Sequence, residues 1–178
     1  MKRIITATLA IIAALSCMTI ALPASDAAEQ QKQRVSYKIS AENSKYTQQQ
    51  LIDIGDVRGH QVRIFEIYRT YPGDAPVING VKLKETWNRG MSDYIDGNGP
   101  NMGYAIFVLQ NDDRFFARTT GHAHSTGSGK LTTVIAGTIT GGTGKLVGIQ
   151  GMIRSTGTAE PKAGLVETQY EIEYWLGH

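Results

Sequence analysis

Residues 137–151 read Gly137-Thr-Ile-Thr-Gly-Gly-Thr-Gly-Lys-Leu-Val-Gly-Ile-Gln-Gly151, a glycine-rich stretch around a lysine that invites comparison with a phosphate-binding loop. Such a loop requires a glycine six residues before the lysine, a Ser or Thr directly after it, and a helix whose N-terminus faces the anion. Ile139 stands six residues before Lys145, His124 stands six before Lys130, and a leucine follows each lysine. Strand-like alternation flanks Gly141 to Gly144 on both sides. Gly141, Gly142 and Gly144 therefore read as a hairpin turn whose glycines take conformations a Cβ would forbid. Gly148 and Gly151 fall in the strand that follows, where glycine signals strong curvature or close packing.

Working outward from this hairpin, the period of two continues over nearly the whole chain. Strands are expected at 35–41, 51–54, 61–71, 81–94, 104–110, 114–122, 131–140, 146–156 and 165–176. Between them stand turn-forming groups: Gly55-Asp56, Pro72-Gly-Asp74, Asn79-Gly80, Asp96-Gly-Asn-Gly-Pro100, Asn111-Asp-Asp113, Thr126-Gly-Ser-Gly129 and Glu160-Pro-Lys162. These supply positive φ or preset a bend. Only Ser44 to Gln50 has the composition of a short helix. The last strand shows the pattern best, with Val166, Tyr170, Ile172, Tyr174 and Leu176 on one face and Glu167, Gln169, Glu171 and Glu173 on the other. Eight or nine strands joined by short turns predict an all-β domain, a single antiparallel barrel of about eight strands whose closure removes exposed edges.

The stretch Ile139 to Gly151 resembles the Gly-Gly-Thr-Gly hairpin of the allene oxide cyclase and dirigent barrel superfamily. That resemblance implies an eight-stranded antiparallel barrel, often trimeric in its plant members, with a small lipophilic or phenolic molecule handled in its cavity; a homo-oligomer, trimer or dimer, is the expectation for this chain. Gly137 to Trp175, together with Asp53-Ile-Gly-Asp56 and Gly59-His-Gln-Val62, further resembles bacterial secreted proteins of this barrel type. No catalytic residue of the plant enzymes maps onto this chain through a matching motif, so the resemblance carries the fold and leaves the activity open.

The N-terminus reads as a targeting segment. Lys2 and Arg3 precede an apolar run from Ile4 to Leu22, Pro23 breaks it, and Ala24-Ser-Asp-Ala-Ala28 offers small residues for cleavage after Ala27, with Ser25 at the −3 position. The expected organisation is a signal peptide at 1–27, a polar leader at 28–33 and a barrel domain at 34–178. Export then places the protein in the periplasm or outside the cell. Two rivals share the segment: an uncleaved membrane anchor, and a lipoprotein acylated at Cys17, the single cysteine of the chain. Cleavage near Ala27 leaves no thiol, which excludes disulfides, a cysteine nucleophile and a cysteine metal site.

The mature chain of about 150 residues suffices for one domain with a real core. With 18 basic and 16 acidic residues in the whole chain and no basic run, neither nucleic acid nor a polybasic membrane contact is expected. No cofactor and no metal is expected. His122 and His124 share one strand face but lack a third ligand. Asp93, Asp96 and Asn98 lack the glycine and terminal glutamate of a calcium loop, whose places are taken by Asn101 and Phe107. No Gly-x-Ser-x-Gly elbow is present, and His60, His122, His124 and His178 carry no triad signature.

Charge on inward faces is more informative. On the strand 61–71, Val62, Ile64, Glu66, Tyr68 and Thr70 share one side, and Arg63, Phe65, Ile67, Arg69 and Tyr71 share the other, so either choice buries charge. If the first side points inward together with Val81, Leu83, Glu85, Trp87 and Arg89, the lumen holds Glu66, Tyr68, Glu85, Trp87 and Arg89. That is an aromatic-walled pocket with a few orienting polar groups, and a carboxylate within it would serve as general acid or base. A membrane-spanning barrel is disfavoured because both faces of this strand carry charge. Three function classes follow. The first is a soluble barrel that binds a small apolar or aromatic molecule without transforming it. The second is a cyclase-like isomerase using a lumen carboxylate or tyrosine, and the third a ligand-free barrel that makes protein contacts in the cell envelope.

Overall fold

The computed structural model describes residues 31–127 and 129–177, so the expected signal segment, Cys17 and His178 lie outside the described residues. Ten strands follow one another: β1 (Gln33–Ile39), β2 (Ser44–Asp53), β3 (His60–Thr70), β4 (Val77–Ile78), β5 (Val81–Ile95), β6 (Gly99–Leu109), β7 (Arg114–Ser125), β8 (Leu131–Gly142), β9 (Ile149–Glu160) and β10 (Leu165–Leu176). Every pairing between them is antiparallel.

Eight of these strands close into the expected ring, in the order β2-β3-β5-β6-β7-β8-β9-β10. Strand β10 pairs along its whole length with β9 and returns to β2 through Leu165 and Lys45. The rest of that edge of β10 is covered by β1, which pairs Gln33–Ile39 with residues 168–174. A 3-10 turn at Ala41–Asn43 then carries the chain from β1 into β2. The segment 44–50, expected to have helical character, is part of strand β2: its pairing with β3 outweighs a local preference too short to nucleate a helix.

Turn chemistry sets the ends of the ring. Asn79 and Gly80 both have positive φ and form the two-residue hairpin loop that folds β4 back on β5. Asp96 and Gly97 do the same between β5 and β6, so β6 begins at Gly99, inside the stretch expected to be turn. The Gly141–Gly144 hairpin is present, with its bend displaced. Strand β8 runs through Gly142, a 3-10 turn covers Gly144–Leu146, and β9 starts at Ile149 rather than at 146.

The two ends of the ring differ. At one end Leu83, Phe107, Leu109, Phe115, Leu146 and Ile149 pack into a plug, with the Phe107 and Phe115 rings stacked 4.3 Å apart and the β4 hairpin contributing the fully buried Ile78. At the other end the connections β2–β3, β5–β6, β7–β8 and β9–β10 surround a mouth. Between plug and mouth the interior narrows to a cavity.

Two β-bulges bear on which side chains of β2, β3 and β5 reach that cavity. Leu83 pairs with Leu109 and Glu85 with Val108, which leaves Lys84 as an extra residue on β5. Val81 and Leu83 point inward before the bulge; after it the inward set is Thr86, Asn88, Gly90, Ser92 and Tyr94. A second bulge leaves Thr47 as the extra residue of β2, between Tyr46 and Gln48. On β3 the inward face is Arg63, Phe65, Ile67 and Arg69, and the opposite face carries Ile64, Glu66 and Tyr68.

Candidate functional site

The interior cavity is walled by all eight strands of the ring, and the centre of a water-sized sphere can move through about 70 Å3 of it. On that measure one water needs roughly 10–15 Å3, so the space holds several waters or a slender organic group. Its apolar wall is built from Phe65, Ile67, Ile135, Ile153, Ala159 and Val166. Tyr46, Tyr94 and Tyr170 add aromatic edges, and Asn88, Thr133, Ser155 and Thr168 add neutral polar atoms. A second hollow of about 340 Å3 at the mouth, lined by Leu51, Gly59, Asp96, Gly97 and Lys162, shares Arg63, Tyr94 and Leu131 with the interior. Those three residues therefore form the throat.

Two arginines, Arg63 and Arg69, dominate the chemistry of this space. They are 8% and 4% exposed, so both lie inside the wall rather than snorkelling out of it. Guanidinium groups stay charged at any pH a protein survives. Arg69, toward the plug, donates from Nη1 to Asn88 Oδ1 and from Nη2 to Thr168 Oγ1 at 3.2 Å, with the Tyr170 ring 5.7 Å away. Arg63, at the throat, donates from Nη1 to Gln49 Oε1 at 3.2 Å and lies 5.4, 5.4 and 6.0 Å from the ring centres of Tyr46, Phe65 and Tyr94. The Nε–H of each arginine is buried without a protein acceptor.

Among the described residues, no Asp or Glu lines the cavity, and neither arginine takes part in an ion pair. Burying a charge without a counter-ion costs several kcal/mol, and an aromatic face returns only about 0.5–2 kcal/mol. The interior thus carries an excess of positive charge that its walls only partly offset. Tyr46 responds to both arginines: burial pushes its hydroxyl up, while the fields of Arg63 and Arg69 oppose the rise. Burial likewise pushes Tyr94 up.

The five residues expected in the lumen, Glu66, Tyr68, Glu85, Trp87 and Arg89, are brought together on the outer face of β3 and β5. The Lys84 bulge is the reason, because it reverses the alternation that had placed Glu85, Trp87 and Arg89 with Leu83. They form a connected surface cluster. Arg89 Nε donates to Glu66 Oε2 at 2.6 Å and its guanidinium lies 5.1 Å from the Trp87 ring centre. Tyr68 Oη and Trp87 Nε1 donate to the two oxygens of Glu85 at 3.0 and 3.1 Å, and the Tyr68 and Trp87 rings are 4.4 Å apart. Thr47, the bulged residue of β2, donates to Glu66 at 2.6 Å, and this bond together with Arg89 holds the Glu66 carboxyl below its ordinary range. Of the five, only Arg89 touches the cavity, and its charged head is outside.

The other expected features sit apart from the cavity. His122 and His124 are exposed on the outer face of β7, and no group of three or more His, Cys, Asp and Glu side chains suited to a metal occurs among the described residues. Asp93 and Asp96 lie at the rim of the mouth. There His60 is clamped between two carboxylates, with Nδ1 2.6 Å from Asp56 Oδ1 and Nε2 2.7 Å from Asp93 Oδ1. Carboxylates only accept, so a ring that donates to both is the doubly protonated imidazolium. The hydrogen bonds to Asp93 and Asp56 raise the His60 pKa accordingly.

No protein-family model and no curated protein sequence matches the chain. Among solved structures, the chain is similar to a pyocyanin demethylase, with a TM-score of 0.40 and 17% identity over 79% of this chain and 99% of that one. It is also similar to a pterocarpan synthase dirigent protein, with a TM-score of 0.46 and 11% identity over 89% of this chain and 99% of that one. The residues that line the cavity here are the chain's own, and their chemistry is read from this structure.

Proposed function

We propose that this chain is an exported ring protein that binds a small molecule with an apolar or aromatic body in its interior and carries it without transforming it. The observation that supports this reading is the cavity itself. A ring of this size fills its centre with side chains unless residues are kept small, and here Gly103, Ala105 and Ala159 leave space beside Tyr46, Tyr94 and Tyr170. The throat at Arg63, Tyr94 and Leu131 joins that space to the mouth, which gives a ligand a route of entry. A cyclase-like reaction driven by a lumen carboxylate has no residue to rest on among the described residues, since no Asp or Glu lines the cavity.

Native mass spectrometry of the mature protein, purified without detergent, tests the reading. The expected result is a stoichiometric small-molecule adduct that is lost on denaturation and absent from Ile135→Trp, where the indole fills the cavity. An adduct that survives in Ile135→Trp would place the ligand elsewhere and overturn the interior site.

One observation favours a second role for the outer surface. Ile64, Met91 and Met102 are direct cross-strand neighbours on β3, β5 and β6, and stand 59%, 39% and 51% exposed. A contiguous exposed apolar row of this kind marks contact surfaces, and we propose that it mediates self-association. Met102→Glu is then expected to lower the mass measured by sedimentation equilibrium; an unchanged mass would remove this row from the interface.

A further inference from the structure

We infer that the molecule accepted by the interior is an organic anion, its carboxylate held at the throat by Arg63 and drawn inward by the charge of Arg69. The inference rests on the interior-binding reading and names the chemical class of the ligand.

Position and unsatisfied chemistry both separate the roles of the two arginines. Arg69 is anchored near the plug by Asn88 and Thr168, which fix both of its terminal nitrogens. Arg63 stands where the interior and the mouth meet, and its hydrogen-bond partner Gln49 comes from the exposed part of β2. A planar guanidinium offers five N–H donors in a fork that matches a carboxylate. At Arg63 the Nε–H has no protein acceptor and no carboxylate pairs with the group, in a side chain more than nine-tenths buried. Tyr46, Phe65 and Tyr94 around it leave the Nε–H without an acceptor, whereas a carboxylate supplies both acceptor atoms and the missing negative charge.

The apolar surface sets the rest of the ligand. Beyond Arg63 the wall runs through Phe65 and Ile67 to Ile135 and Ile153, a face suited to an aromatic or aliphatic body and without a counter-charge for a cation. A neutral ligand of the same shape would leave both guanidinium groups uncompensated. A cationic one would add to the repulsion. The class that relieves the interior is therefore an apolar body carrying one acidic group.

Matched pairs of ligands test this: benzoate with benzamide, cinnamate with cinnamamide, and octanoate with octanamide, titrated calorimetrically into the mature protein. For each pair the shape is nearly constant and the charge is not. The expected result is that carboxylates bind at least about tenfold more tightly than their amides, the discrimination of a charge-assisted hydrogen bond, with the preference falling as salt is raised. Arg63→Gln is expected to erase the preference and Arg63→Lys to keep part of it, with circular dichroism showing that both variants fold. Equal binding of acid and amide, or a preference retained in Arg63→Gln, overturns the assignment while leaving the interior-binding reading intact. Failure of every acid and every amide to bind at millimolar concentration counts against that broader reading as well.

Discussion

The guanidinium of Arg63 lies 5.4 Å from the centre of the Tyr46 ring and finds no carboxylate within the cavity it lines. On the proposed anion-binding reading, a side chain placed this way serves binding at the expense of stability. Arg63→Met keeps the length and apolar stem while deleting the buried charge, and replacing buried ions by apolar groups of similar volume stabilises by about 1–4 kcal/mol in favourable cases. The ligand-free Arg63→Met protein is therefore expected to unfold at a higher temperature than the parent, with anion binding lost. Scanning calorimetry reads the first effect. A lowered midpoint would mean that the ring contacts of Arg63 outweigh the cost of burying it, and that the residue is structural.

The bulge at Lys84 makes a separate prediction. Deleting Lys84 forces one regular alternation along β5, so either Leu83, which is fully buried, turns outward or Glu85 and Trp87 turn inward. Losing one large core side chain costs about 2–5 kcal/mol, and burying an unpaired carboxylate costs a similar amount. The deletion is expected to lower the unfolding free energy by at least 2 kcal/mol, measured by urea denaturation. An unchanged midpoint would show that the strand absorbs the shift elsewhere.

The same residue explains what the sequence could and could not reveal. The ring and nearly all its turns were legible, because Asn79-Gly80, Asp96-Gly97 and the glycines of 141–144 mark bends by conformational necessity and alternation marks the strands between them. The inner face of β10 was legible too: Val166, Tyr170, Ile172 and Tyr174 are all buried. The inner face of β5 was not, because a bulge is an event of pairing. Nothing in Leu83-Lys-Glu85 distinguishes an extra residue from a continuing strand until β6 is laid beside it. Strand β3 offered two charged faces, and the choice between Glu66 and Arg63 followed from the β5 reading and failed with it. The pair Arg63 and Arg69, six apart on the face shared with Phe65 and Ile67, was the signal available.

Two glycines of the β8–β9 region separate backbone strain from steric exclusion. Gly144 has φ +54, and a Cβ there would overlap the Asp113 carboxylate, a half-buried side-chain end held by Asn111 Nδ2 and the Lys145 amide that can be displaced without moving the backbone. Gly151 has φ +150, and its Cβ would meet the Glu173 carbonyl oxygen and lie 2.8 Å from Tyr174 Cα, backbone atoms fixed by the β9–β10 pairing. Gly144→Val is expected to cost about 1 kcal/mol and Gly151→Ala about 3 kcal/mol or more. Chemical denaturation of both variants ranks them. The reverse order would mean that the β9–β10 pair yields more readily than the Asp113 turn.

His60 supplies a pH dependence whose sign follows from its partners. Asp56 and Asp93 hold the ring in its charged form and raise its pKa above the 6.5 of an unperturbed histidine. Asp96 stands at the same rim, and Asp53 is engaged by Gln61 rather than by the ring. A histidine with a raised folded-state pKa contributes stability that is fully present below its unfolded pKa and is lost as pH rises through the folded one. Asp56, lowered chiefly by its hydrogen bond to His60, contributes stability that is lost as pH falls through its own depressed value. The clamp is therefore strongest on the acid side of 6.5 and above the carboxylate range. The unfolding midpoint is expected to decline as pH rises from about 6.5 through the elevated pKa, and His60→Gln to flatten that decline. Hydrogen exchange of the backbone amides of Val57 and His60, which close the β2–β3 connection, should accelerate over the same interval beyond the intrinsic increase with pH. Equal pH dependence in parent and variant would show that the two carboxylates do not hold the ring charged in solution.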